Sequence, residues 1–179
     1  DSITEGWVGS NPDFFSANGF VGRGISGQTS PQLLVRFRED VIALQPQAVV
    51  IHIGTNDIGE NTGPFEHHFT LGNIISMAEL AKMHHIKVIL ASVLPASHIF
   101  WNTEALHIPE KIHRLNTALK NYAQKHRHAW LDYHTSMKNA AQGLDPELAF
   151  DGIHPTREGY QLMEKIALKV IKQVLPDRE

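Results

Sequence analysis

The chain contains no cysteine, which excludes disulfides, thiolate metal sites and cysteine nucleophiles together. It leaves the compartment open, because a chain without thiols suits either redox environment. No apolar run approaches the ~20 residues that a membrane span requires. There is no excess of positive charge either: 16 Lys and Arg against 19 Asp and Glu give a net charge of −3. The basic residues are scattered rather than striped, which speaks against a nucleic-acid partner. Internal repeats, low-complexity tracts and linker-like boundaries are missing too, so residues 1–179 are expected to form a single domain.

What is present is an ordinary globular mixture, 42% hydrophobic and 20% charged over 179 residues, in which strand-like and helix-like segments alternate. Ala48–Ile53 is a continuous apolar, β-branched run, as expected for a strand buried on both faces. Ile86–Ala91 and Ala129–Leu131 read similarly, and Gly19–Val21 is a further strand candidate. Ser30-Pro31 predicts a helix start, with Leu34, Phe37 and Val41 on one face. Leu71, Ile74, Ile75 and Ala78 mark a second helix, Ile112, Leu115, Leu119 and Tyr122 a third. Tyr160, Met163, Ala167, Val170 and Val174 mark a fourth, opening at Pro155. This alternation predicts an α/β fold: a parallel sheet with helices on both sides.

In such sheets chemistry collects at the carboxyl ends of the strands. Gly54-Thr55-Asn56-Asp57 directly follows one strand, and Asp151-Gly152-Ile153-His154-Pro155 precedes the last helix. A sheet of this type is expected to have a strand just before Asp1, feeding a turn that presents Ser2. The chain is therefore expected to be a piece whose first strand lies upstream, where an export signal could also have been removed. With such a signal, a soluble periplasmic or secreted protein is expected rather than a cytoplasmic one.

A serine hydroxyl is inert at neutral pH unless a base takes its proton as it attacks. Ser2 is the nucleophile candidate, although a serine near a terminus is more often a helix cap. His154 is the candidate base, and Asp151 the group that orients its ring; the alternative is a turn and cap before the final helix. Gly152 lets the chain between them turn tightly. For the oxyanion, Asn56 offers a side-chain amide, and Gly27 and Ser2 offer backbone N–H groups. Gly27 could equally be a turn glycine before the helix at Pro31. Asp57 is expected to brace its loop rather than act as an acid. Of the 12 histidines, His52 is expected at the core edge, and His67, His68, His84, His85, His126 and His128 in exposed settings.

Taken together, the blocks Asp1-Ser2-Ile3-Thr4, Gly24-Ile25-Ser26-Gly27, Gly54-Thr55-Asn56-Asp57 and Asp151-Gly152-Ile153-His154-Pro155 resemble the four signature blocks of the SGNH hydrolases, or GDSL-like lipases and acylhydrolases. The resemblance spans essentially the whole chain, in the family's order. It implies a flavodoxin-like three-layer α/β/α sandwich and serine-based ester hydrolysis with no metal or other cofactor. It also implies a catalytic set of Ser2, Asp151 and His154 with an oxyanion hole from Ser2, Gly27 and Asn56. Gly22 stands where many relatives carry Asn, which changes none of those five residues.

The substrate is less legible. No long apolar insertion offers a lid over a fatty chain. Phe100 and Trp101 leave a strand end near the expected site and could stack on a sugar or line an acyl pocket, or simply anchor their loop. A small acyl group on a carbohydrate is the expected substrate, as in the carbohydrate-acting and sialate-type acetylesterases that the chain resembles. A lysophospholipase or a thioesterase is the alternative within the fold. A metal-dependent hydrolase finds no ligand spacing to support it. A noncatalytic carbohydrate-binding protein on the same scaffold remains a reading of another class.

Overall fold

The computed structural model describes residues 1–176, so the last three residues of the expected 1–179 unit lie outside it. Three parallel strands form an open sheet in chain order: β1 (Ala48–Ile51), β2 (Lys87–Ala91) and β3 (Ala129–Leu131). Ala48 pairs with Lys87 and Ile51 with Leu90, while Ile89 pairs with Ala129 and Ala91 with Leu131. Two long helices make the crossovers, α5 (His67–Met83) between β1 and β2 and α6 (Ile108–His126) between β2 and β3. The remaining helices are α1 (Ser2–Ser10), α2 (Pro12–Asn18), α3 (Ser30–Phe37), the single turn α4 (Thr55–Ile58), α7 (Tyr133–Met137) and α8 (Arg157–Val174).

The central strand shows how the layers arise. Side chains alternate across a strand, and Val88 and Leu90 pack into one core with residues of α3, α5 and α6. Ile89 and Ala91 point the other way, into a second core built by Ile3 and Trp7 of α1, Met137 of α7 and Tyr160, Met163 and Ala167 of α8. Helices thus cover both faces of the sheet, and the architecture is the expected α/β/α sandwich.

Five local expectations are corrected. Gly19–Val21 is not a strand; Gly19 adopts φ +65° and ends α2, so the chain leaves a helix there instead. Among the described residues β1 pairs only with β2, and its Val50 is 38% exposed rather than buried. Hydrogen bonding ends the strand at Ile51, although His52 and Ile53 are still buried. The helix starts also shift, since Thr29 rather than Ser30 caps α3, and Thr156 caps α8 by accepting the Gly159 N–H. Finally, His67, His126 and His128 are half-buried, the last two lying face to face beside Tyr122.

Candidate active site

Ser2 is the first residue of α1 and sits beside the Asp1 side chain, which accepts the Ile3 N–H at 3.1 Å and starts the helix. At the other end of the chain Asp151 opens a tight turn. Its Oδ1 accepts the backbone N–H groups of Ile153 and His154 at 2.9 and 2.7 Å, with Gly152 at φ +81° between them. Its Oδ2 lies 2.7 Å from Nδ1 of His154. The opposite ring nitrogen, Nε2, lies 2.8 Å from Oγ of Ser2. Ser2 and His154, 152 positions apart in the sequence, thus join Asp151 in one hydrogen-bonded line. Partial burial raises the Asp151 carboxyl, but the three hydrogen bonds from Ile153 and His154 outweigh it and hold the group below its usual range.

The donors expected around this line come from two loops. The Gly24–Gly27 segment lies against the first turn of α1, where a Cβ on Gly24 would fall 2.4 Å from the Asp1 carbonyl oxygen. The Ser26 N–H donates to Glu5 of α1 at 2.9 Å and fixes the same contact. Gly27 has φ +74°, a conformation that other residues rarely hold. Among the described residues, neither the Ser2 nor the Gly27 backbone N–H has an acceptor. Asn56, on α4, is buried; its side-chain amide donates to the Gln28 carbonyl at 3.0 Å, which leaves its second N–H. Asp57 accepts from the Ser30 N–H and hydroxyl and from Thr70, which occupies it in bracing the loop. Burial is the main influence on Asp57 and raises its carboxyl above the usual range.

The two aromatic candidates pack edge to face, with ring centroids 4.9 Å apart, but face different partners. Phe100, 47% exposed, stands with its ring centroid 6.1 Å from that of His154, whereas Trp101 lies against Gly59 and donates its indole N–H to Asn61 at 2.6 Å. A third aromatic, Phe150, went unrecognised in the sequence. It is 72% exposed and stacks on His154 at 5.7 Å with the rings 16° apart. Its one signal is its place immediately before Asp151. Large apolar side chains left in water around a polar cluster mark a contact surface.

The profile of the GDSL-like lipase/acylhydrolase family matches residues 1–162. The chain belongs to this family. It is therefore a hydrolase of ester bonds. A GDSL-like lipase from Bacteroides thetaiotaomicron has a solved structure that is 51% identical, with a TM-score of 0.95 over 97% of this chain and 85% of the other. An acetylxylan esterase from Geobacillus stearothermophilus is 26% identical over 155 residues, covering 84% of this chain and 71% of that protein. A catalytic mutant of an acetylxylan esterase from the same organism shares the fold at a TM-score of 0.72 and 22% identity, over 94% and 80% of the two chains. Among the described residues, no helix of this GDSL-like hydrolase is long and apolar enough to cross a membrane.

Proposed function

We propose that the protein removes small acyl groups, acetyl above all, from carbohydrate through a covalent intermediate on Ser2. The reading rests on the 2.8 Å approach of Ser2 Oγ to His154 Nε2. With Nδ1–H donated to Asp151, Nε2 keeps its lone pair for the serine proton. Ser2 Oγ bonds to the acyl carbon as His154 takes that proton, and the carbonyl oxygen becomes an anion. The backbone N–H groups of Ser2 and Gly27 and the spare N–H of Asn56 stabilise it. Collapse breaks the bond to the sugar oxygen, which leaves with the proton from His154. Water then attacks the acyl-serine, His154 again accepting a proton, and the carboxylic acid departs as Ser2 is restored.

Two observations support a small acyl group on a sugar over a long acyl chain. The groove that Gly27 borders is open and lined mainly by polar side chains, Gln32, Glu60, Asn61, Thr62 and Asn102. The acetylxylan esterase of Geobacillus stearothermophilus is a relative by sequence. The test is labelling by a fluorophosphonate together with rates on p-nitrophenyl esters of rising chain length and on acetylated sugars. The proposal expects Ser2 to be labelled and rates to fall steeply beyond short chains. Rates that climb with chain length would favour a lipase or lysophospholipase and overturn it.

A further inference from the structure

An open groove of about 490 Å³ borders Gly27, whose N–H is a proposed oxyanion donor. Its other walls include Gln32, Glu60, Asn61, Thr62 and Trp101. We propose that this groove is the leaving-group subsite and that it takes a neutral pyranose ring, selecting against acidic sugars. The assignment rests on the esterase reading above and adds to it where the alcohol portion sits and what charge it carries.

Three features carry the argument. Trp101 is a fixed wall, because its ring presses on Gly59 so closely that a Cβ there would meet it at 2.8 Å. Its indole N–H is held by Asn61 Oδ1, and the Asn61 amide donates at 3.0 Å to the Gly27 carbonyl. One side chain thus locks the aromatic wall to the loop that presents the Gly27 N–H. The indole is nonetheless 37% exposed. A rigid, half-exposed indole beside polar side chains offers an apolar face for the C–H bonds of a pyranose.

The second feature is unspent hydrogen-bonding capacity. Gln32 uses its carbonyl oxygen on the Thr29 N–H at 2.9 Å, and among the described residues its amide has no acceptor. Glu60 gives one carboxylate oxygen to Lys111 at 2.9 Å, and among the described residues the other has no donor. Hydroxyls, which both donate and accept, match this pair. Glu60 is held at φ +62°, a costly conformation for a residue with a side chain, and so projects from a defined turn.

The third is charge. The residues lining the groove include one carboxylate and no lysine or arginine. Lys111 is already paired with that carboxylate at 2.9 Å. A sugar carboxylate would find no unpaired cation among the lining residues to offset its loss of water.

The experiment is a ligand-observed NMR titration of the intact protein with methyl β-xylopyranoside and, separately, with the methyl glycoside of N-acetylneuraminic acid. Neither probe carries a cleavable ester. Saturable binding of the neutral glycoside in the millimolar range is expected, with the acidic one at least about fivefold weaker. Trp101→Ala should weaken the neutral glycoside about five- to tenfold. Gly59→Ala should weaken it comparably by displacing the ring without removing it, and it carries the test if Trp101→Ala does not fold. Equal or tighter binding of the acidic glycoside, or unchanged affinity in the folded variants, would overturn the proposal. Fluorophosphonate labelling separates the two readings. Labelled Ser2 with no saccharide binding sinks the groove alone, whereas failure to label sinks the esterase mechanism and the subsite with it.

Discussion

The Tyr160 hydroxyl donates to the main-chain carbonyl of Ile3 at 2.8 Å in a buried setting. This bond ties the helix that begins with Ser2 to the helix that follows His154. Trp7 and Glu164 reinforce it one turn further along, the indole N–H donating to the carboxylate at 3.1 Å. Burial, with the charge of Asp151 added, raises the Tyr160 phenol to about 12, so it remains a protonated donor at any working pH. Tyr160→Phe removes this additional bond to a carbonyl that α1 already engages, and should cost ~0.5–1.5 kcal/mol in denaturant unfolding. A variant with wild-type stability would show that the clamp is unimportant.

Ser2→Ala and His154→Ala should each abolish measurable ester turnover, by ~10⁴-fold or more, with near-native unfolding midpoints. Asp151→Asn should also lower kcat severely, since an amide no longer imposes the required ring tautomer. Single-turnover and steady-state rates check this, and a Ser2→Ala enzyme that retains activity would remove the nucleophile assignment.

Asn56→Ala should lower kcat by ~10²–10³ with little change in KM, because the amide is used chiefly when the oxyanion forms. Gly27→Ala should give a similar loss for a different reason: there is room for the methyl group, but φ +74° strains any residue that carries one. A loss confined to KM in both variants would place these groups at substrate binding instead.

Phe150→Ala should leave stability within about 0.5 kcal/mol, since the ring is 72% exposed. Its kcat/KM on acetylated sugars should fall, because the face of His154 it shields becomes open to water. Thermal unfolding and steady-state kinetics on one preparation separate the two effects, and an unchanged kcat/KM would make Phe150 a bystander.

His52 gives the pH prediction. Burial lowers its imidazole from the usual value to about 3, so the folded protein keeps it neutral while the unfolded chain protonates it near pH 6.5. The unfolded state then binds more protons, so stability is intact above ~6.5 and is lost as pH falls toward 3, by at most ~1.4 kcal/mol per pH unit. Denaturant midpoints between pH 7.5 and 5 should fall more steeply for the wild type than for His52→Leu. Parallel slopes would mean that the imidazole is hydrated in the folded state.

Much of the fold was legible because its signals are local. Val49, Val50 and Ile51 announce a strand by β-branching, and the regular apolar spacing of α6 and α8 announces their buried faces. Gly19–Val21 misled because a short apolar pair after a glycine suits a strand or a helix exit equally, and the left-handed Gly19 decides for the exit. The exposure of Val50 was invisible since strand order is set by tertiary packing. Within the site, Ser2, Asp151, His154, Gly27 and Asn56 each stand in a short recognisable block. Phe150 and Asn61 do not. What distinguishes them is stacking on His154 and bridging between Gly27 and Trp101, contacts that exist only after distant segments meet.

The clamp between the first and last helices carries a consequence for biosynthesis. A nascent chain that has emerged only as far as residue 150 of this numbering holds Ser2 but neither His154 nor Tyr160, the partners that reach it and its helix. On the proposed mechanism acyl transfer waits until α8 docks on α1, and hydrolysis of a fluorogenic acetate by nascent chains would time that docking event.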